Sequence, residues 1–355
     1  MNALLSHWQK WSIVNDFQAI DAAVGADWAA LDGARIFMTG GTGFVGGWLL
    51  ESLHHAAQSA GRQFDVTVLS RDPAKFYRAK PHLASWKGLQ LVAGNVSDFA
   101  FADGPFDYLL HAATDASAAL NRDNPRQMFE TILGGTRRAL DFAVAKNVRR
   151  TLFLSSGAVY GQQPWNVEKI AEDWTGAPQC NAPVNAYAEG KRAAEMLCAI
   201  YGKQFGTVIS TARIFAVLGP YLSLDTHFAA GNFIRDAMQG QEIIVQGDGR
   251  PCRSYLYAAD LSVALLRMLA RGPAGIAYNV GSEHAVSIAD LAGAVARVIG
   301  GNSRILGKTD SGWNPGRYIP AMSHFNAEFG AVSTIDLDEA IARTALWNGW
   351  KPWVK

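Results

Sequence analysis

From Ala34 onward the apolar positions fall into short unbroken runs, separated by longer stretches in which apolar residues recur every three or four places. RIFMTG, DVTVLS, LQLVAGN, YLLHAA, TLFLSS and VISTARI are too short and too evenly apolar for amphipathic helices, which predicts buried strands. The segments WLLESLHHAAQSA, NPRQMFETILGGTRRALDFAVAKN and AYAEGKRAAEMLCAIYGKQFG carry the helical period. Strand alternating with helix implies right-handed crossovers and an α/β fold built on a doubly wound parallel sheet.

After Gly219-Pro220 the rhythm changes. The segment from Tyr221 to Tyr257 is richer in turns, with one short strand at EIIVQ. AADLSVALLRMLARG then reads as a helix and AYNVG as a strand returning to the main sheet. SIADLAGAVARVIG and DLDEAIARTALWNGW supply the helices of a smaller lobe. The expected organisation is a helical extension over residues 1–32, a main domain over 33–218 to which 255–282 return, and an interleaved α/β substrate lobe over 219–254 and 283–355. The interleaved apolar and polar residues of MNALLSHWQKWSIVNDFQAI suggest an amphipathic extension, packed on the main domain or at a subunit interface, rather than a signal peptide.

Composition narrows the function classes. The 355 residues are 49% hydrophobic and 18% charged with a formal net charge of +1, so no basic excess points to nucleic acid or a membrane surface. No apolar run approaches the roughly 18 residues of a membrane span. Cys180, Cys198 and Cys252 lack ligand spacing and cannot all pair within one chain, which fits a reduced, cytoplasmic setting. The histidines lack the spacing of a metal site, and no metal is expected.

The first chemical signal is TGGTGFVG at 39–46. A strand runs into Gly40, Gly43 and Gly46, and a helix follows at once. The first glycine permits the tight turn, the second lets a pyrophosphate approach the backbone, and the third lets helix and strand pack closely. The phosphates then sit on the helix N-terminus at Phe44, Val45 and Gly46. This is the dinucleotide-binding fingerprint of a Rossmann domain. The second strand ends at Ser70, followed by Arg71. An arginine there suits a 2′-phosphate and favours NADP(H), while Asp72, one place on, leaves NAD open.

In NAYAEGKRAAE, Tyr187 and Lys191 lie four apart and share a helical face. A lysine beside a tyrosine lowers the phenol's pKa and reaches the nicotinamide ribose. The phenol can then exchange the proton of a sugar hydroxyl while hydride moves.

With these motifs the chain resembles the extended short-chain dehydrogenase/reductase family, the nucleotide-sugar epimerases and dehydratases. The resemblance runs from about Arg35 to near the C-terminus. It rests on TGGTGFVG, GNVSD at 94–98, HAAT at 111–114, SSGAVYG at 155–161, YAEGK at 187–191, LGP, GDGRPCRSYLYAAD and YNVGS. It implies that Gly40, Gly43 and Gly46 hold the pyrophosphate, with Ser70 and Arg71 at the adenosine ribose. Asn95 and Val96 would lie near the adenine, and Ala112, Ala113 and Thr114 along the cofactor. Ser156 matches the catalytic serine or threonine, Tyr187 the acid/base and Lys191 its partner. Arg253 matches an arginine that binds the substrate's diphosphate through bidentate contacts. The resemblance also implies a homodimer formed through the helix of the YxxxK pair and the one before it.

Three departures qualify these roles. The family's 4,6-dehydratases carry Asp and Glu directly after the serine or threonine, where this chain has Gly157 and Ala158. Ile132 in TILGGT replaces an asparagine. Ala216 in ARIFAVLGP replaces another near the diphosphate, for which Asn232 is a candidate substitute.

The expected function is NAD(P)-dependent hydride transfer at C4 of a nucleotide-diphosphate sugar, by an epimerase or a 4-ketoreductase. The alternatives are a 4,6-dehydratase and a non-catalytic dinucleotide-binding regulatory protein. Tyr160 is expected in the pocket wall, His111 in core or cofactor-side packing, and Asp260 as a helix N-cap. Trp313 and Tyr318 are expected either to stack on a nucleotide base or to pack at the surface.

Overall fold

The structure, a computed structural model, describes residues 7–114, 117–225, 229–308 and 315–352. Its centre is a seven-stranded sheet. The strands are β1 (Ala34–Thr39), β2 (Phe64–Ser70), β3 (Leu89–Ala93), β4 (Tyr108–His111), β5 (Arg150–Ser156), β6 (Ile209–Ile214) and β7 (Ala277–Val280). Their spatial order is β7-β6-β5-β4-β1-β2-β3, with every pairing parallel. All six strands expected from the apolar runs are present, and AYNVG joins the sheet beside β6.

The main helices are α1 (Ile13–Val24), α2 (Phe44–Ala60), α3 (Pro125–Ala145), α4 (Ala186–Phe205), α5 (Ala229–Met238), α6 (Ala258–Arg271), α7 (Ile288–Ile299) and α8 (Leu337–Trp347). Alternation along each strand divides the core. Ile36 and Met38 of β1 pack with residues of α1, α2 and α6, while Phe37 between them packs with Phe142 and Ala143 of α3. Phe153 of β5 joins Ile132 of α3 and Ala194 of α4 in a third cluster. The sheet is thus covered on both faces, as parallel sheets require. No described helix is long and apolar enough to cross a membrane.

The N-terminal extension packs on the main body. Asp16 is 1% exposed, accepts from Tyr257 Oη over 2.6 Å and pairs with Arg343 of α8. The Trp8 indole donates to Glu339 of α8 over 2.6 Å. A buried carboxylate so paired ties α1, α6 and α8 into one unit.

Beyond residue 217 the strands are short. Val217–Leu218 pairs with Leu256–Tyr257, and Ile243–Val245, the expected EIIVQ strand, pairs with Ser303–Ile305. Cys252–Arg253 lies between Val286–Ser287 and Arg317–Tyr318. α5 was not foreseen: Gly231 and Asn232 interrupt its pattern, although Ala230, Phe233, Ile234 and Ala237 form a buried stripe.

Asp260 does not cap its helix. Tyr257 holds the N-cap position of α6, without a side-chain bond. The Asp260 carboxylate, one turn in, accepts from Thr334 N, Thr334 Oγ1 and Ile335 N at 3.0, 2.6 and 3.1 Å. It therefore pins a distant loop, for which local sequence gives no signal.

Candidate active site

The strand order reverses between β1 and β4, and the glycine-rich loop lies at that point. Gly40 has φ 73°, and a Cβ there would fall 2.5 Å from the carbonyl carbon of Ala112. Only glycine fits so close to the end of β4. A Cβ on Gly46 would fall 2.2 Å from Gly40 O, so α2 lies directly against the strand end. Gly43 differs, because a Cβ there would meet only Gly40 O at an ordinary 3.4 Å. The protein's own packing does not demand that glycine, whereas an approaching ligand would. Gly43 is also the N-cap of α2 and provides no side-chain cap for the first-turn amides of Phe44, Val45 and Gly46. This cradle fits a dinucleotide pyrophosphate.

The neighbouring strand ends fit the nucleoside. Gly94 N donates to Ser70 O over 3.0 Å, which holds the ends of β2 and β3 together. Ser70 is buried, and its Oγ accepts from Asp72 N. Arg71 is exposed. Asp72 Oδ1 accepts from Lys75 N over 2.9 Å and caps the helix Pro73–Ala79. Asn95 folds an Asx turn onto Ser97 N, and Val96 packs against Gly135 of α3. Ala112 and Ala113 line the end of β4, and the buried Thr114 Oγ1 has no partner among the described residues. A buried hydroxyl without a partner calls for one, and a cofactor passing along β4 would provide it.

His111 occupies the base of this cleft. Its Nδ1 is 2.7 Å from Thr39 Oγ1 and its Nε2 3.1 Å from Thr136 Oγ1. Thr39 Oγ1 accepts in turn from Ala113 N at 3.2 Å. Burial, with Lys191 nearby, pushes the imidazole down to about 3. It is neutral, and it fixes the loop that bears Ala112 and Ala113.

Ser156, Tyr187 and Lys191 converge at the end of β5. Ser156 caps the short turn Gly157–Tyr160, its Oγ accepting from Ala158 N at 3.2 Å. Tyr187 lies in the first turn of α4, with its amide donating to Asn121 Oδ1 and its phenol facing the Ser156 hydroxyl, which favours the ionised form. Lys191, 2% exposed, donates from Nζ to Leu154 O over 2.7 Å. Burial pushes the ammonium down to about 8, with Glu195 opposing. The expected lowering of the Tyr187 phenol by Lys191 is not seen. Burial raises that phenol and the Ser156 hydrogen bond only partly offsets it, because Nζ is directed at the Leu154 carbonyl.

Tyr160 belongs to the wall. It is 3% exposed, its hydroxyl donating to Asn279 and accepting from Arg213, each over 2.8 Å. Ile132 packs within 3.2 Å of where a Cβ on Gly190 would lie, so an apolar contact braces α3 against α4.

Arg253 and Tyr318 sit in paired parallel strands, the Arg253 guanidinium 6.0 Å from the Tyr318 ring. Sequence reasoning left Tyr318 to base stacking or surface packing. Instead its ring lies on Phe215 and its hydroxyl is 3.4 Å from Ser156 Oγ. Asn232 is on α5, accepting from Arg235 at 3.4 Å. Trp313 lies outside the described residues. Among the described residues no group of three or more His, Cys, Asp or Glu is placed to hold a metal.

Comparison with known proteins agrees with this fold. Residues 36–281 match the model of the NAD dependent epimerase/dehydratase family. The chain is 31% identical to UDP-glucuronic acid decarboxylase 6 of Arabidopsis thaliana, over 75% of this chain and 74% of that protein. It is 29% identical to UDP-glucuronic acid decarboxylase 1 of Xenopus tropicalis, over 88% and 72%. In fold it is similar to the UDP-glucose 4-epimerase of Thermotoga maritima, with TM-score 0.74, 20% identity, and 88% of this chain and 98% of that one covered. It is also similar to a dTDP-glucose 4,6-dehydratase of Streptomyces venezuelae, with TM-score 0.73, 22% identity, and 88% and 96% covered. The chain belongs to the NAD dependent epimerase/dehydratase family.

Proposed function

We propose that this protein is an NAD(P)-dependent enzyme that moves hydride at C4 of a nucleotide-diphosphate sugar. The observation that carries the proposal is the Tyr187 phenol facing the Ser156 hydroxyl, one helical turn from a buried Lys191, beside the glycine cradle. The bound nicotinamide supplies the hydride acceptor and donor. Tyr187 takes the C4 hydroxyl proton and later returns it, while the Ser156 hydroxyl supports the ionised phenol. Lys191, buried on α4, orients the ribose. Arg253 binds the diphosphate. The intact set of Ser156, Tyr187 and Lys191 speaks against a purely regulatory dinucleotide-binding protein.

Within this chemistry, an epimerase turns over the keto sugar and reduces it on the other face, and a ketoreductase consumes the reduced cofactor. A third outcome is supported by the curated relatives, which are UDP-glucuronic acid decarboxylases. Oxidation at C4 of a sugar bearing a C6 carboxylate gives a β-keto acid that loses carbon dioxide. The geometry disfavours 4,6-dehydration, because a Cβ on Gly157 would lie 2.7 Å from the Phe215 ring and 2.8 Å from Tyr318 Oη. A carboxylate there has no room.

Two finer points belong to this reading. Exposed Arg71, beside an Asp72 engaged as a helix cap, supports NADP(H). Exposed Met196, Ile200 and Phe205 on α4 support a homodimer through that helix. The test is incubation with NAD⁺ or NADP⁺ and UDP-glucose, UDP-galactose, UDP-glucuronic acid or dTDP-glucose, with products identified by mass spectrometry and NMR. An isomer, a reduced or oxidised sugar, or loss of carbon dioxide supports the reading. Loss of water supports dehydration, and an unchanged panel with tight dinucleotide binding supports the regulatory alternative.

A further inference from the structure

Three separate parts of the chain meet at the Ser156 hydroxyl. Ala158 N donates to Oγ from the turn after β5, at 3.2 Å. Tyr187 approaches from α4, and the Ser156 hydroxyl favours its ionised phenol. The third group is Tyr318 Oη, 3.4 Å away and 162 residues distant in sequence. The strand Arg317–Tyr318 delivers it, anchored in parallel on Cys252–Arg253. Its ring lies 4.5 Å from the Phe215 ring, which fixes the direction of the hydroxyl. Gly157 makes the approach possible, since a Cβ there would fall 2.8 Å from Tyr318 Oη.

Counting donors and acceptors shows what this arrangement can do. A serine hydroxyl has one hydrogen and two acceptor sites. Ala158 N occupies one of those sites. Tyr318 also has one hydrogen, with Ser156 Oγ and Ile214 O both 3.4 Å from its oxygen. Burial raises the Tyr318 phenol, so it stays protonated and able to donate. When it donates to Ser156, both acceptor sites of Oγ are filled. The single Ser156 hydrogen is then left to point at Tyr187. Contacts of this length tighten when a reacting geometry forms.

We propose that Tyr318 is a positioning residue whose hydroxyl donates to Ser156 Oγ and thereby turns the Ser156 hydrogen toward the Tyr187 phenol. Its consequence for catalysis rests on the function proposed above, but the hydrogen-bond order is a property of the protein itself. Tyr318 exchanges no proton with the substrate. It acts through Ser156, by stabilising the Tyr187 phenolate at the far end of a chain of hydroxyls. Ser156 on β5 and Tyr318 on the small sheet face Tyr187, while Lys191 on α4 directs its Nζ at the Leu154 carbonyl.

The test is a titration of Tyr187 by NMR in NAD⁺-saturated protein carrying carbon-13 at the tyrosine ring, with the resonance assigned by Y187F. Y318F keeps the ring on Phe215 and removes only the hydroxyl. It should raise the proton affinity of the Tyr187 phenolate about threefold to tenfold, the worth of one hydrogen bond. S156A should shift Tyr187 in the same direction, and S156A/Y318F should titrate as S156A alone, because Tyr318 acts only through Ser156. A Y318F titration equal to wild type, or an effect that adds to that of S156A, overturns the proposal. Should Y318F fail to fold, the Tyr318 resonance itself decides: S156A must move it, and an unmoved resonance overturns the assignment. If wild type turns over none of the nucleotide sugars above, the function fails while the titration still judges Tyr318. If it does turn one over, Y318F should lower kcat with KM little changed.

Discussion

Arg213 of β6 and Glu195 of α4 form a paired contact. Nη2 donates to Oε2 over 2.7 Å, and Nε reaches the two carboxylate oxygens at 3.1 and 3.2 Å. Ser155 Oγ adds a third donor to Glu195 at 2.6 Å. Glu195 is one turn beyond Lys191 and opposes the lowering of its pKa by burial. E195Q should therefore bring Lys191 below its present value of about 8 and move the alkaline limb of activity to lower pH. Breaking a fully buried pair costs about 3–5 kcal/mol, and partial exposure reduces this to about 2 kcal/mol. A pH–rate profile together with a urea midpoint checks both, and an unmoved alkaline limb contradicts the link to Lys191.

The glycine loop separates packing from ligand approach. G40A places a side chain at φ 73° against Ala112 and should destabilise the fold as well as abolish dinucleotide binding. G43A meets only an ordinary contact, so its unfolding midpoint should match wild type while NAD⁺ or NADP⁺ affinity falls at least about tenfold. Calorimetric binding and thermal unfolding of the two variants test this. Unimpaired binding by G43A would remove the pyrophosphate from this loop.

His111 predicts a pH dependence of stability. Its pKa falls from 6.5 to about 3 on folding, so between these values the unfolded chain binds the extra proton. The stabilising contribution is complete above the unfolded value and is lost as pH falls, by at most about 1.4 kcal/mol per pH unit. H111Q should show a flatter stability curve than wild type over this window, measured by urea unfolding. Curves of equal slope would mean that His111 is not buried and neutral.

Arg71 predicts cofactor choice. R71A should weaken NADP(H) by about tenfold or more while leaving NAD(H) nearly unchanged, because only the former carries the 2′-phosphate. Equal loss for both would assign Arg71 to the adenosine generally.

The parts of the site that sequence revealed are those whose constraints are local. Gly40, Gly43 and Gly46 answer three separate demands within seven residues, and Tyr187 and Lys191 share a helical face by spacing alone. Tyr318 was not legible because a two-residue strand carries it to Ser156 across 162 positions. Asp260 misled for the same reason, its partners lying at Thr334 and Ile335. The lysine–tyrosine coupling misled differently. Helical spacing predicts proximity, but the direction of Nζ depends on the Leu154 carbonyl.

The most direct measurement is single-turnover transfer from UDP-sugars deuterated at C4, namely UDP-glucose and UDP-glucuronic acid, to enzyme saturated with NAD⁺ or NADP⁺. The account predicts that, with at least one of them, deuterium is found in the nicotinamide of enzyme quenched during the turnover, before any return to C4 of the product, and that Y187F slows this by orders of magnitude. Turnover that leaves the deuterium at C4 throughout, or Y187F acting as fast as wild type, would contradict it.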